Sequence, residues 1–337
     1  MVEARERGLD FRSPDSILLE GGLYLADAPR ILTQLPSALL QPVREAHPDV
    51  EIVEIPHEGE LEDRVEGEVL LTPTWGSPNL AEVLARGVRW VHTYGTGVNA
   101  FPFEKLGDRW LTCSRGASAR AISEWVMAVM LAAEKQLPQS WLSEPPKHWN
   151  IARLGSLEDR VLALVGFGGI AQAVARRALP FGMRVKALRR TTAPSPIEGV
   201  EIVTSLAALL EDADHLVLAA PETPATQKMI DEEAFGMMKP GVHLVNIARG
   251  GLVDQEALRR ALDREDGVGL ASLDCVEPEP LPAGHWLYGH PRVRLSAHVS
   301  WSVPRAHEGL IVPFVENLGR FRRGEPLIHG VDRDERY

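Results

Sequence analysis

The sequence predicts an α/β protein built on parallel, doubly wound sheets. Two observations carry that prediction. The first is the stretch Val161 to Arg190, VLALVGFGGIAQAVARRALPFGMRVKALRR, where an apolar run, a glycine-rich turn and a helical pattern follow one another. The second is the alternation, over most of the chain, of apolar runs of strand length with segments of helical period, joined by short loops.

Val161 to Val165 has the length and composition of a strand buried on both faces. It runs into Gly166-Phe167-Gly168-Gly169-Ile170-Ala171, a match to G-x-G-x-x-G/A, and then into a helix with Ala171, Val174, Ala175, Ala178 and Leu179 on one face. The residue types have steric reasons: a sharp turn at Gly166, backbone amides open to a pyrophosphate at Gly168, close helix–sheet packing at Ala171. The amides of the helix N-terminus then face the phosphates. A second apolar strand, Met183 to Leu188, completes the unit and predicts a dinucleotide site. Where such a strand usually ends in Asp or Glu to bind ribose, this chain has Arg189-Arg190-Thr191. Two guanidiniums can clamp a 2′-phosphate, so NADP(H) is expected over NAD(H), with NAD(H) still possible.

From the N-terminus, short apolar pieces at Ser16–Glu20 and Gly22–Ala26 fit either strands or an arm. The spacing then predicts strands at Ile31–Thr33, Val50–Ile55, Val69–Leu71 and Trp90–Thr93, with helices at Ser37–Ala46 and Leu80–Arg86. Ser118 is a candidate N-cap for a helix over Ala119–Gln136 that Pro138 ends, placed to connect two domains. Pro138 to Gly155 reads as a loop. Beyond Arg190 come strands at His215–Ala219, Val242–Ile247, Gly269–Leu273 and Val293–Ala297, with helices at Glu232–Met238 and Asp254–Arg264, the latter capped by Asp254. A last helix, Val303–Phe321, is expected to return to the first domain. The division predicted is 1–118 with 304–337, and 119–303.

A chain of 337 residues suits two domains, and a net charge of −11 argues against nucleic acid as a partner. The cluster Arg320, Arg322, Arg323 sits at a helix C-terminus, where cations suit the dipole. Met1 to Asp10 has no apolar core of a secretory signal, and Ala121–Ala133, broken by Ser123 and Glu124, is too short to span a bilayer. Cys113 and Cys275 show no metal-type spacing, so no metal is expected, and free thiols fit a reducing cytoplasm.

Arg249, Asp274 and His298 each follow the C-terminal end of an expected strand, the edge where open α/β sheets bind ligands. Glu279 lies on the Asp274 loop. A carbonyl that accepts hydride becomes an alkoxide and needs a proton donor at neutral pH, which suits His298. Glu279 beside it would favour the imidazolium form. Arg249 offers a planar fork for a substrate carboxylate and can polarise the carbonyl. Asp274 is expected to accept from the nicotinamide carboxamide.

These residues carry a likeness. From about Ile31 to Asp332 the chain resembles the D-isomer-specific 2-hydroxyacid dehydrogenases, through GFGGIA at Gly166, PETPATQKMI from Pro221, KPGVHLVNIARGGLVDQEAL from Lys239, LDCVEPEPLP from Leu273 and AHVS from Ala297. The resemblance implies an Arg, Glu and His triad at Arg249, Glu279 and His298, and it selects Glu279 over Glu277. It further implies cofactor contacts from Ala220, Pro221, Thr226, Ile247, Ala248 and Ser300. Thr96 and Gly97, in Tyr94 to Asn99, match the loop whose amides hold the substrate carboxylate, and Glu124 matches an acid of the connecting helix read as structural. Two Rossmann-like domains with the active site in the cleft between them, and a homodimer, also follow from the likeness. The departures are Arg189 in place of Asp, the bulky Trp301 after the catalytic His, and Trp75 in a loop that lacks the Arg of phosphate-binding members. Trp75 and Trp301 are therefore expected to shape a pocket for an unphosphorylated substrate.

The function expected is NAD(P)-dependent reduction of a small 2-oxo acid, such as glyoxylate or hydroxypyruvate, to the D-2-hydroxy acid. A dinucleotide-sensing regulatory or corepressor protein on the same fold is the alternative. Formate- or phosphite-type oxidation fits less well, since formate-type members carry Gln at the place of Glu279.

Overall fold

The computed structural model describes residues 16–17, 28–151, 153–191 and 193–336. The chain forms two compact units, one running to Ser118 and taken up again from Pro304, the other Ala119–Val303. The first unit contains strands β1 (Ser16–Ile17), β2 (Ile31–Thr33), β3 (Ile52–Glu54), β4 (Val69–Pro73), β5 (Trp90–Tyr94) and β6 (Trp110–Cys113), with helices α1 (Gln41–Ala46) and α2 (Leu80–Leu84). The second opens with α3 (Ala119–Glu134), β7 (Val161–Val165), α4 (Gly169–Ala178), β8 (Arg184–Leu188) and β9 (Val200–Val203). It continues through α5 (Leu206–Leu210), β10 (His215–Leu218), α6 (Glu232–Gly236), β11 (His243–Asn246), α7 (Gln255–Asp263), β12 (Leu270–Leu273) and β13 (Val293–Leu295). Helix α8 (Ala306–Arg322) and β14 (Leu327–Ile328) belong to the first unit.

In the second unit a parallel sheet of order β13-β12-β11-β10-β7-β8-β9 is wound from the middle outward. The chain goes one way from β7 to β9 and the other way from β10 to β13, so the carboxyl ends of β7 and β10 flank the crevice where the winding reverses. Val161 to Val165 are all buried, and their side chains alternate between two cores. Ala163 and Val165 join Leu216, Leu218 and Leu244 on one face, while Leu162 and Leu164 meet Ala171, Val174, Ala175 and Ala178 of α4 on the other. Helices thus cover both faces, which is why these strands read as continuous apolar runs.

The first unit repeats the scheme with a parallel sheet, β3-β2-β4-β5-β6. Helix α8 lays Ile311, Phe314 and Leu318 against Ile31, Val69, Leu71 and Trp90, and the Trp90 and Phe314 rings stack at 5.3 Å. Of the two early apolar pieces, only Ser16–Ile17 is described, paired antiparallel with β14, and Gly22–Ala26 lies outside the described residues.

Some elements differ from those predicted. Strands β6 and β9 and helix α5 were not expected: β9 (VEIV) is a short edge strand paired with β8, and four residues offer little periodicity to read. Helix α8 starts at Ala306 instead of Val303, because Arg305 adopts the left-handed region at φ 64° and Pro304 precedes it. Helix α3 ends at Glu134, two residues early, where Gln136 turns to φ 51°. Asp254 does cap α7, its side chain accepting from the amides of Glu256 and Ala257.

Candidate functional site

Strands β11, β12 and β13 are neighbours, so the loops after their carboxyl ends abut, and these carry Arg249, Asp274 with Glu279, and His298. Asn246, the buried last residue of β11, ties two of them together. Its Nδ2 donates to the carbonyls of Arg249 at 2.9 Å and Cys275 at 3.2 Å, and its Oδ1 accepts from the Ala248 amide. Gly250 has a packing reason: a Cβ there would lie 2.1 Å from the backbone of Val276. Only glycine lets the 275–279 loop press against the Arg249 turn. The half-buried Arg249 side chain donates to the Ala248 carbonyl, and its charge is felt by Glu279, Glu222 and Cys275.

The 275–279 loop folds back on itself, so that Oε1 of Glu279 accepts from the Val276 amide at 3.0 Å and Oε2 lies 2.8 Å from Nδ1 of His298. Burial works against ionising Glu279, but the hydrogen bonds with His298 and Val276 and the charges of His298 and Arg249 outweigh it, holding its carboxyl below the ordinary 4.5. Glu277 takes no part in the pair, its carbonyl accepting from Gln255 instead.

His298 sits in the left-handed region at φ 54°, a conformation that costs a non-glycine residue on the order of 1 kcal/mol and persists where surroundings enforce it. The surroundings here are Asp274 and Trp301. The His298 amide donates to the Asp274 carbonyl at 2.9 Å, and the His298 carbonyl accepts from Trp301 Nε1 at 3.0 Å. The Asp274 carboxylate accepts from Ser296 Oγ at 2.5 Å and from the amides of Val299 and Ser300 at 2.8 and 2.9 Å. Asp274 is 1 % exposed and Ser300 5 %. Three of about four carboxylate lone-pair directions are therefore occupied by its own loop. Positioning of His298 by Asp274, and of the Arg249 and Cys275 loops by Asn246, was not foreseen; a buried polar residue closing an apolar strand is the signal both offered.

Along the same carboxyl edge, Gly166 takes φ 87°, and a Cβ on it would meet the Ala220 backbone at 3.0 Å, so the turns after β7 and β10 touch at the winding reversal. Gly168 precedes α4 with no side chain capping the helix, and a Cβ there would meet nothing within 4 Å. An open space over uncapped amides fits a dinucleotide pyrophosphate. Phe167 packs into the core beside α4, Ile170 is half-buried, and Gly169 begins the helix. Arg189 and Arg190 stand just past β8, Arg189 half-buried with its amide donating to Val203, and Arg190 and Thr191 exposed. Thr226 Oγ1 donates to the Pro221 carbonyl at 2.7 Å, bracing that loop, while Ile247 and Ala248 are buried.

In the first unit, Thr96 and Gly97 are half-buried in a loop that Ser114 shapes, the Ser114 amide donating to Gly95 and Thr96 Oγ1 donating to the Ser114 carbonyl. Trp75 is 61 % exposed beyond β4. Trp301 packs partly buried on the second unit's core, so its indole braces the His298 loop.

Residues 127–300 match the model of the D-isomer specific 2-hydroxyacid dehydrogenase NAD binding domain. Among curated proteins the chain is similar to a glyoxylate reductase of Thermococcus onnurineus, 32 % identical over 88 % of this chain and 92 % of that one. A glyoxylate reductase of Thermococcus kodakarensis is 42 % identical over 71 % of this chain and 74 % of its own. Among solved structures, a D-isomer specific 2-hydroxyacid dehydrogenase family protein from Aeromonas salmonicida is 27 % identical with a TM-score of 0.75, covering 91 % of this chain and 100 % of that one. The fold is shared at a TM-score of 0.77 and 24 % identity, over 92 % of this chain and 100 % of the other, with an NADPH-dependent glyoxylate/hydroxypyruvate reductase from Sinorhizobium meliloti solved with NADP and sulfate. With the Arg249, Glu279 and His298 loops gathered at one sheet edge, a glycine turn at the winding reversal, and these likenesses, the chain belongs to the D-isomer specific 2-hydroxyacid dehydrogenase family.

Proposed function

We propose that this protein reduces a small 2-oxo acid, with glyoxylate and hydroxypyruvate the leading substrates, to the D-2-hydroxy acid, preferring NADP(H) over NAD(H). The observation that carries it is the 2.8 Å contact between Nδ1 of His298 and Oε2 of Glu279, in a loop cluster that also holds Arg249. Gly166 to Ile170 would hold the pyrophosphate of a nicotinamide cofactor and Arg189 and Arg190 its 2′-phosphate, and the cofactor would supply the hydride that C2 of the substrate receives. His298 protonates the resulting alkoxide through Nε2, the nitrogen that Glu279 leaves available, and the carboxylate steadies the positive ring before transfer. Arg249 grips the substrate carboxylate as a fork and polarises the carbonyl. Thr96 and Gly97 keep the carboxylate-binding role, and Trp75 the pocket role, that the resemblance implies, with 119–303 as the dinucleotide domain and 1–118 with 304–337 as the substrate domain. A homodimer in the cytoplasm is part of the same reading.

Support for the substrate class comes from relatives named glyoxylate reductases at 32 and 42 % identity, and for NADP(H) from Arg189 where an acid would repel a 2′-phosphate. The test is catalytic efficiency over a panel of 2-oxo acids with NADPH and NADH, followed by absorbance. Turnover of glyoxylate or hydroxypyruvate, faster with NADPH, is expected. Tight cofactor binding without turnover of any panel member would overturn the reductase assignment and favour the dinucleotide sensor.

A further inference from the structure

Along the chain, the cysteines carry no metal-type spacing. Folding nonetheless brings Cys275 to the acid–base pair: Sγ of Cys275, a carboxylate oxygen of Glu279 and a ring nitrogen of His298 all lie within 4.8 Å of one another. The thiol is held in place by its backbone. The Cys275 amide donates to the Asn246 carbonyl at 3.4 Å, and its own carbonyl accepts from Asn246 Nδ2 at 3.2 Å. Glu279 is fixed by the Val276 amide and His298 by Asp274, so none of the three donors depends on a freely rotating chain.

A sulfur, an imidazole nitrogen and a carboxylate oxygen form a ligand set for a borderline-soft divalent cation. Around tetrahedral zinc, with bonds of about 2.0–2.3 Å, such donors stand roughly 3.3–3.8 Å apart. From separations of up to 4.8 Å the donors approach by roughly 1–1.5 Å to reach that geometry, while the His298–Glu279 pair, at 2.8 Å, opens by about 0.5 Å. Cys275 is itself 1 % exposed, but the side chains of Glu279 and His298 are each 38 % exposed, so a cation held among them keeps an open position toward solvent for water or a substrate oxygen. Charge also matches. Burial, and then the Glu279 and Asp274 charges, push the Cys275 thiol well up against the pull of Arg249, so a cation has to displace the thiol proton; once it has, Cys275, Glu279 and Asp274 set three negative groups against the Arg249 cation. That balance offsets a divalent charge.

We infer that Cys275, Glu279 and His298 form a binding site for a thiophilic divalent cation such as Zn²⁺, and that its occupancy turns the acid–base pair off. The cation takes the place of the proton between His298 Nδ1 and Glu279 Oε2, and the thiol proton leaves to solvent. The cation thereby breaks the Nδ1–Oε2 contact by which Glu279 positions the ring, and proton delivery to the substrate stops. The inhibitory half rests on the reductase assignment, and the binding half does not.

Co²⁺ titration of the full chain is the decisive measurement, because cobalt reports thiolate ligation by a near-ultraviolet charge-transfer band and tetrahedral geometry by visible bands. The wild-type chain is expected to show both, with one equivalent of Zn²⁺ abolishing them, and Cys275→Ala and Cys275→Val to show no charge-transfer band. Two variants guard against a single packing failure, and circular dichroism verifies that each folds. No charge-transfer band in the wild type, or one that persists in both folded variants and so arises at Cys113, overturns the site. In the activity arm, Zn²⁺ is expected to inhibit wild-type reduction of glyoxylate reversibly by EDTA, with the half-inhibiting concentration on the order of 100-fold higher in Cys275→Ala. Equal inhibition of both overturns the switch. If no 2-oxo acid is turned over, the reductase assignment fails while the cobalt bands still decide the site.

Discussion

Nδ1 of His298 lies 2.8 Å from Oε2 of Glu279, and the His298 backbone at φ 54° is what turns the ring to meet that carboxylate. Glu279 is ionised more readily than an ordinary glutamate, since the interactions with His298, Val276 and Arg249 outweigh its burial. One nitrogen is thereby fixed by the protein and the other left for chemistry.

Glu279→Gln keeps an oxygen that accepts from Nδ1 but removes the charge that steadies the imidazolium. We expect kcat for 2-oxo acid reduction to drop by about 100-fold, within the range for general acid catalysis, with a much smaller change in KM. Steady-state kinetics decides, and a variant with wild-type kcat would remove Glu279 from the proton-transfer step.

Arg249→Ala should lower kcat/KM for glyoxylate by about 100- to 1000-fold, the loss of a charge-assisted fork worth roughly 3–4 kcal/mol. Arg249→Lys restores the charge without the planar pair of donors, so it should recover only part of the loss. Full recovery by lysine would mean that Arg249 acts as a point charge alone.

In Asp274→Asn one acceptor oxygen becomes a donor that faces the amide of Val299 or Ser300. Leaving a buried amide unsatisfied costs about 1–3 kcal/mol and loosens the Val299–Ser300 turn that follows the left-handed His298. Both a lower thermal midpoint and a fall in kcat are expected, and melting curves beside initial rates measure them.

Arg189→Asp replaces the cation proposed to bind the 2′-phosphate with an anion suited to ribose, just past β8. The KM for NADPH should rise on the order of 100-fold, the worth of one or two charged hydrogen bonds, while that for NADH falls or stays level. Unchanged cofactor selectivity would move the 2′-phosphate contact away from Arg189.

His92 is fully buried beneath Trp90 and Phe314, with Nδ1 2.7 Å from Thr112 Oγ1, and burial, helped by His329, pushes its proton affinity from the ordinary 6.5 down to about 3. Between those values the unfolded chain binds a proton that the native chain does not. Stability is therefore whole above pH 6.5 and lost as pH falls toward 3, at up to about 1.4 kcal/mol per pH unit. His243, lowered to about 3 by burial and then by His215, adds a like slope in the second unit. Thermal midpoints from pH 7.5 to 5 should fall, and less steeply in His92→Gln; parallel curves would show that His92 does not drive the acid loss.

The chain alone determined the β7–turn–α4 unit, because a run of five apolar residues, the glycines of G-x-G-x-x-A and a 3.6-residue apolar period are local properties. It likewise placed Arg249, Asp274 and His298 after strands, since strand ends are visible wherever an apolar run stops. Short β9 and β6 were invisible: each is a strand only because a neighbour pairs with it. Tertiary structure alone decided that Gly250 lets the Val276 backbone in, that Asn246 and Asp274 lock the loops, that Trp301 braces His298, and that Cys275 comes within 4.8 Å of both Glu279 and His298. These depend on which loops abut at the end of a wound sheet. That adjacency follows from strand order, set by the packing of helices on both faces, and no local pattern of residues encodes it.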